Sequence, residues 1–233
     1  MFGKNRKIKT AFTLAEVLIT LGIIGVVAAL TLPALIQHYK RQDIETRLQK
    51  FYSTMNQAIK QSELDNGDFS TWEFGIQLNG DDNDNNIEWY KKYLDPYLQT
   101  LKVEIDSNNY IRIYFTDGSM VLLRRAGTTY NYFPYAKKYE ELKDEFADIN
   151  TIAKSTKILG KDSFLFAFMP NTTNSGWEYH KDKGLEPYRW HSGDTLNLKS
   201  GNYGCTKTGQ KQYCTAVIQE NGWKIPKDYP VRF

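Results

Sequence analysis

The amino-acid sequence predicts an α+β chain. One long N-terminal helix has a first half suited to lipid and a second half laid on an antiparallel β-sheet. Three observations lead there. Val17 to Ile36, VLITLGIIGVVAALTLPALI, is twenty residues without a charge. Beyond it, Ile44, Leu48, Phe51, Met55 and Ile59 recur at spacings of 4, 3, 4 and 4, one apolar stripe at helical period. The remaining text is rich in Tyr, Thr and Asn, which favours β structure with long polar loops, and it holds a plain strand–turn–strand pattern.

The apolar run comes first. Twenty residues at 1.5 Å each reach roughly 30 Å, the depth of a hydrocarbon core. Lys4, Arg6, Lys7 and Lys9 precede it with no acid among them, which places the leader on the cytoplasmic side. Glu16 stands at the start of the run. Three readings compete: an ordinary signal peptide cut at Val27-Ala28-Ala29 before Leu30, a plain transmembrane anchor, and a leader cut before the apolar segment. A carboxylate opposes insertion, and an ordinary signal peptide has no reason to keep one. Nor does the helical pattern stop where a signal peptide ends. It continues from Gln37 towards Gly67, a stop signal. Residues 12 to about 65 therefore read as one helix, roughly 80 Å long.

Ala11-Phe12-Thr13-Leu14-Ala15-Glu16, with a short basic leader before it and the apolar run after it, resembles the class III signal of type IV pilins and type II secretion pseudopilins. The resemblance covers about the first quarter of the chain. In that family a membrane-embedded prepilin peptidase cuts after a small residue and N-methylates the new terminal residue. It implies a cut between Ala11 and Phe12, methylation of Phe12, and an assembly role for Glu16 with its neighbours Thr13 and Leu14. Gly25 and Pro33 fall where family members weaken the helix. Ala11 departs from the commoner Gly. The resemblance implies a pilin-like layout: leader 1–11, transmembrane and filament-core helix 12–36, amphipathic half 37–66, and a β-rich domain 67–233. It further implies a bacterial, single-pass protein of the cytoplasmic membrane with its C-terminal domain outside the cytoplasm, later drawn into an extracytoplasmic filament. The implied partners are membrane lipid, the prepilin peptidase, other pilin or pseudopilin subunits, an inner-membrane platform protein and an assembly ATPase. A different class of function stays open: a membrane-anchored extracytoplasmic module that binds carbohydrate or DNA and does not polymerise.

The helix pairing has a physical basis. After the cut, the Phe12 amine is a positive charge at the bilayer edge, and Glu16 lies four residues on, on the same helix face. Glu16 can satisfy the amine of its own chain. In the family it pairs with the amine of a neighbouring subunit, which gives a filament register and direction. Pro33 removes one backbone donor and clashes with the preceding turn, which invites a kink or local melting.

The remaining elements follow in order. DNGDFSTWEFGIQLNGDDNDNNIEW reads as a long polar loop, and NIEWYKKYLDPYLQTL holds a short helix ending before Pro96. Asp81, Asp82 and Asp84 invite calcium, but the loop lacks the glycine and the glutamate of an EF-hand. Tyr110 to Phe115 and Met120 to Leu123 flank Asp117-Gly118, a strong hairpin signal. PYAKKYEELKDEFA, 134–147, is a short surface helix or an extended insert. Asp162 to Phe168 reads as a strand, and Asp148 and Asn150 before it are remnants of a loop common in pseudopilin-like chains. Thr215 to Ile218 reads as a further strand leading to a hairpin turn at Glu220-Asn221-Gly222-Trp223. The expectation is about four antiparallel strands on the amphipathic half of the long helix.

The formal charge is +3, from 30 basic and 27 acidic residues. Residues 1–11 hold four of the basic ones and none of the acidic, so a chain without them carries 26 against 27. That balance gives no case for nucleic-acid binding. Cys205 and Cys214 are the two cysteines. In an exported chain they suggest one disulfide, closing an eight-residue loop; two free buried thiols are the alternative. His38 sits just past the apolar run, and His180 and His191 flank an aromatic loop with Glu178, Asp182 and Asp194. Their spacing fits no zinc motif. Trp177, Tyr179, Tyr188 and Trp190 in that loop either bind a ligand or cover the sheet, and covering is the commoner fate of such rings. There is no phosphate-binding loop, nucleophile elbow, His-Glu-x-x-His or dinucleotide fingerprint. Neither catalysis, nor a cofactor, nor a metal is expected.

Overall fold

The structure is a computed structural model, and it describes residues 12–72, 86–105, 110–124, 128–145, 151, 155–190 and 197–233. Ala11, the aspartates at 81, 82 and 84, Asp148, Asn150, His191 and Asp194 lie outside the described residues. The chain divides into two compact units, Met1–Lys40 and Arg41–Phe233, with the boundary inside one helix.

That helix, α1, spans Leu14–Asn66 and runs unbroken through Pro33. In the first unit its large apolar side chains are exposed, Leu18, Ile19, Leu21, Ile23, Ile24, Val26 and Leu30 among them. The helix is long and apolar enough to cross a membrane. Two of its threonine hydroxyls there are satisfied within the helix, Thr20 Oγ1 donating to the Val17 carbonyl and Thr31 Oγ1 to that of Val27, each at 2.9 Å. Polar side chains bonded back to their own helix suit an apolar surrounding.

In the second unit α1 changes character. Ile44, Leu48, Phe51, Met55 and Ile59, the expected stripe, are all buried, together with Ala58 and Ser62. The helix ends at Asn66, and Gly67 adopts φ +76° while donating to the Glu63 carbonyl. Only glycine takes that conformation without strain, which makes it a common helix stop.

The sheet has six antiparallel strands in sequential order: β1 (Lys102–Ile105), β2 (Ile111–Tyr114), β3 (Met120–Arg124), β4 (Thr129–Phe133), β5 (Phe164–Ala167) and β6 (Glu186–Pro187). The expected number was about four. β1 alternates polar and apolar residues but is only four residues long, β6 is only two, and β4 buries Thr and Asn beside its aromatic rings, so none of them shows an extended strand pattern. Alternate side chains take opposite faces. Ile111, Ile113, Val121, Leu123, Tyr130, Tyr132, Phe164 and Phe166 join the core that includes the α1 stripe. Tyr110, Tyr114, Met120, Leu122 and Phe133 form a second cluster with Tyr139 of α3 (Ala136–Leu142) and Ile158. The β2–β3 hairpin turns at Asp117-Gly118 as expected, with Gly118 at φ +79° and Phe115 donating to the Ser119 carbonyl. α2 (Asn86–Tyr93) precedes Pro96, as expected.

The strand expected at Thr215–Ile218 is instead a helix, α4 (Cys214–Glu220). Two ambiguous signals explain the difference. Thr, Val and Ile prefer strands only weakly, and packing overrides the preference: residues Cys214 to Ile218 are all buried. Asn221-Gly222 is also a good helix terminator. Gly222 has φ +66°, and the Trp223 N–H returns to the Ile218 carbonyl at 2.9 Å. The C-terminal segment is then tied to α1. Glu45 accepts from the Ile225 N–H at 2.8 Å and from Lys224 Nζ at 3.0 Å. Arg41 donates to the Ile225 and Pro226 carbonyls.

Candidate functional site

The start of α1 carries the residues singled out for processing and assembly. Phe12 and Leu14 are exposed, at 87% and 79%. Thr13 and Glu16 hold each other. The Thr13 N–H and Oγ1 both donate to Glu16 Oε2 at 2.8 Å, and the Glu16 N–H donates back to Thr13 Oγ1 at 3.2 Å. This is a reciprocal cap of the helix N-terminus, which satisfies donors that otherwise have no partner. The Thr-x-x-Glu spacing is a local signal of such a cap, but the apolar text around it drew attention to lipid instead. A negative side chain in the first turn also complements the helix dipole. Gly25 lies inside the same helix with open space where a Cβ would stand.

Cys205 and Cys214 form a disulfide, which settles the choice left open between a bridge and two free thiols. It sits in a small core with Leu198, Tyr213, Ala216 and Val217. Gly160 lies against it: a Cβ there would meet Cys214 Sγ at 2.9 Å, and its φ is +75°. The bridge anchors the N-terminus of α4 to the loop before it.

The aromatic loop is largely self-packed. Trp177 meets Trp190 edge-on at 4.9 Å and Tyr188 at 5.3 Å, and Gly176 lies under the Trp190 ring. Tyr179 is flanked by Lys183 Nζ at 3.6 Å and the Arg189 guanidinium at 4.2 Å from its ring centre. His180 is fully buried between these rings. Its Nε2 lies 3.1 Å from the Arg189 carbonyl and 3.2 Å from the Arg189 N–H, so its tautomer decides which it serves. Burial pushes the His180 pKa down to about 3, and the nearby Lys183 and Arg189 charges add to the shift, against the Arg189 backbone bond. It is a neutral packing residue. Among the described residues no three metal-ligating side chains gather.

No curated protein and no solved structure matches the chain. Residues 34–233 match the model of a family of unknown function, DUF6613, and the chain belongs to that family.

Proposed function

We propose that this protein is a structural subunit of a type IV pilus-like or type II secretion filament, a pilin or pseudopilin. The observation that carries the reading is the first part of α1: an apolar, uncovered helix that opens on a capped carboxylate at Glu16. The family match begins after Pro33, so the reading of this segment rests on its own residues. A prepilin peptidase cuts between Ala11 and Phe12 and methylates Phe12. The apolar helix holds the processed chain in the cytoplasmic membrane until a platform protein and an assembly ATPase move it into the filament. There the helices supply the core and the β-rich domain faces outward. The chain itself has no enzymatic role.

In this scheme Glu16 receives the amine that processing creates on a neighbouring subunit. A buried ion pair stripped of one partner leaves a stranded charge, so the pairing selects register. The testing experiment is Glu16→Ala, followed through membrane insertion, processing and filament incorporation. Insertion and processing should persist while incorporation falls. Normal incorporation of the variant would remove the pairing role.

A further inference from the structure

A groove of about 360 Å³ lies in the second unit between α1 and the β2–β3 turn. Ligand pockets start at roughly this size, ~300 Å³. One wall is a single face of α1: Lys50, Thr54, Gln57 and Gln61 follow one another at helical spacing. Ala58, small and buried, gives the groove depth beside them. The other wall is Tyr97, Gln99, Phe115 and Thr116.

Three features of this lining point to one kind of ligand. The first is free polar capacity. The side chains of Thr54, Gln57, Gln61, Gln99 and Thr116 make no hydrogen bond with the described residues, although each amide offers two donors and an acceptor. The second is cancelled charge. Lys50 and Asp117, the charged residues of the lining, bond each other at 2.7 Å. Burial pushes the Asp117 carboxyl up, but hydrogen bonds from Lys50 and Ser119 outweigh it and hold it below the ordinary carboxylate range. Among the described residues of the lining, a charged ligand would find no counter-charge that is not already paired. The third is a braced aromatic surface. Phe115 is half-buried and meets Phe51 edge-on at 6.1 Å. The half-buried Tyr97 is fixed by its hydroxyl, which donates to Asp65 at 2.8 Å and accepts from Asn66 at 3.2 Å. An aromatic ring offers apolar area with little entropy to lose.

We propose that this groove binds a neutral, hydroxyl-rich ligand: a sugar ring or short oligosaccharide. The amides and hydroxyls bond its hydroxyl groups, and Phe115 and Tyr97 meet its C–H face. A peptide strand is a poorer fit, because strand addition needs the open edge of a sheet, and the groove is lined by side chains of α1, the β2–β3 turn, residues 97–99 and Tyr132 of β4, an interior strand. The site is separate from the aromatic loop around Trp177, whose rings pack on one another and whose cations cover Tyr179. The proposal does not depend on the filament reading, and either can fail without the other.

The test uses the full chain in lipid nanodiscs, free of sugar-based detergent. Maltose, cellobiose and N,N′-diacetylchitobiose are the neutral probes, with galacturonate and glucosamine as charged comparators. Saturation-transfer NMR reports contact, and a shift titration gives the Kd. The expected result is binding of a neutral sugar in preference to both charged ones. The exposed double variant Gln57→Ala/Gln61→Ala should weaken it about tenfold or more, the loss of roughly one to two hydrogen bonds, at unchanged melting temperature. Phe115→Ala should weaken it as well. The proposal is overturned if none of the neutral sugars binds at millimolar concentration, if the charged sugars bind as tightly, or if the glutamine double variant binds as the parent does.

Discussion

Thr13 and Glu16 close the first turn of α1 on each other, with the Thr13 N–H and hydroxyl both donating to one carboxylate oxygen of Glu16 at 2.8 Å. Glu16 therefore has a partner within its own chain before any neighbour arrives. A filament contact must share or replace this cap. That separates two roles which Glu16→Ala removes together, capping the helix and carrying a charge.

Glu16→Gln distinguishes them. Glutamine serves in a capping box as glutamate does but carries no charge. The helix start should stay ordered, membrane insertion and cleavage should continue, and filament incorporation should fall on the order of tenfold or more, as expected when an ion pair loses one side. Quantitative immunoblotting of sheared filaments against membrane pools checks this. Incorporation at the parent level in Glu16→Gln, with loss only in Glu16→Ala, would make Glu16 a capping residue.

A second prediction concerns Asn56. From α1 its carboxamide takes both backbone groups of Leu185, donating to the carbonyl at 3.0 Å and accepting from the N–H at 2.9 Å. Leu185 is fully buried. Gly184 makes the approach possible, since a Cβ there would stand 2.1 Å from Asn56 Oδ1. Asn56→Ala strands two buried backbone groups and should cost about 2–3 kcal/mol. Gly184→Ala should also destabilise, through the clash. Urea midpoints of the intact chain check both. A midpoint unchanged in Asn56→Ala would show that water replaces the amide at no cost.

The pH dependence of stability follows from His180. Its folded pKa is about 3, below the ordinary 6.5. Between those values the unfolded chain binds a proton that the folded chain refuses, so folding loses ground as pH falls. This group's contribution is whole above about pH 6.5 and drains away towards pH 3, by at most about 1.4 kcal/mol per pH unit. His180→Gln, which keeps a polar tip for Arg189, should flatten that slope. Melting temperatures of parent and variant between these limits check it. Parallel curves would show that His180 is not the titrating group.

Legibility in the sequence tracked distance along the chain. The apolar run and the Ile44–Ile59 stripe announce α1, because helical periodicity is a local property, and Asp117-Gly118 announces its hairpin for the same reason. β4, Thr-Tyr-Asn-Tyr-Phe, stayed hidden because all five of its positions are buried, Thr and Asn among them, so no exposed polar face alternates with a buried apolar one. Tyr130 and Tyr132 face the α1 side, whereas Phe133 joins the opposite cluster. α4 was misread because Val-Ile and Asn-Gly each serve two structures. The disulfide was within reach from two cysteines in an exported context. The groove was not, since its walls come from residues 50–61, 97–99, 115–119 and Tyr132 and meet only in the fold. Nor was the bond between Asn56 and Leu185, 129 residues apart.

The central claim is that the chain is processed before its apolar segment and keeps that segment. Intact-mass and N-terminal peptide mass spectrometry of the protein recovered from bacterial membranes tests it most directly. The account predicts a mature chain beginning at N-methylated Phe12, with Thr13 to Ile36 retained. A mature terminus at Leu30 would make the segment a signal peptide, and an intact Met1 a plain anchor; either result contradicts the filament-subunit reading.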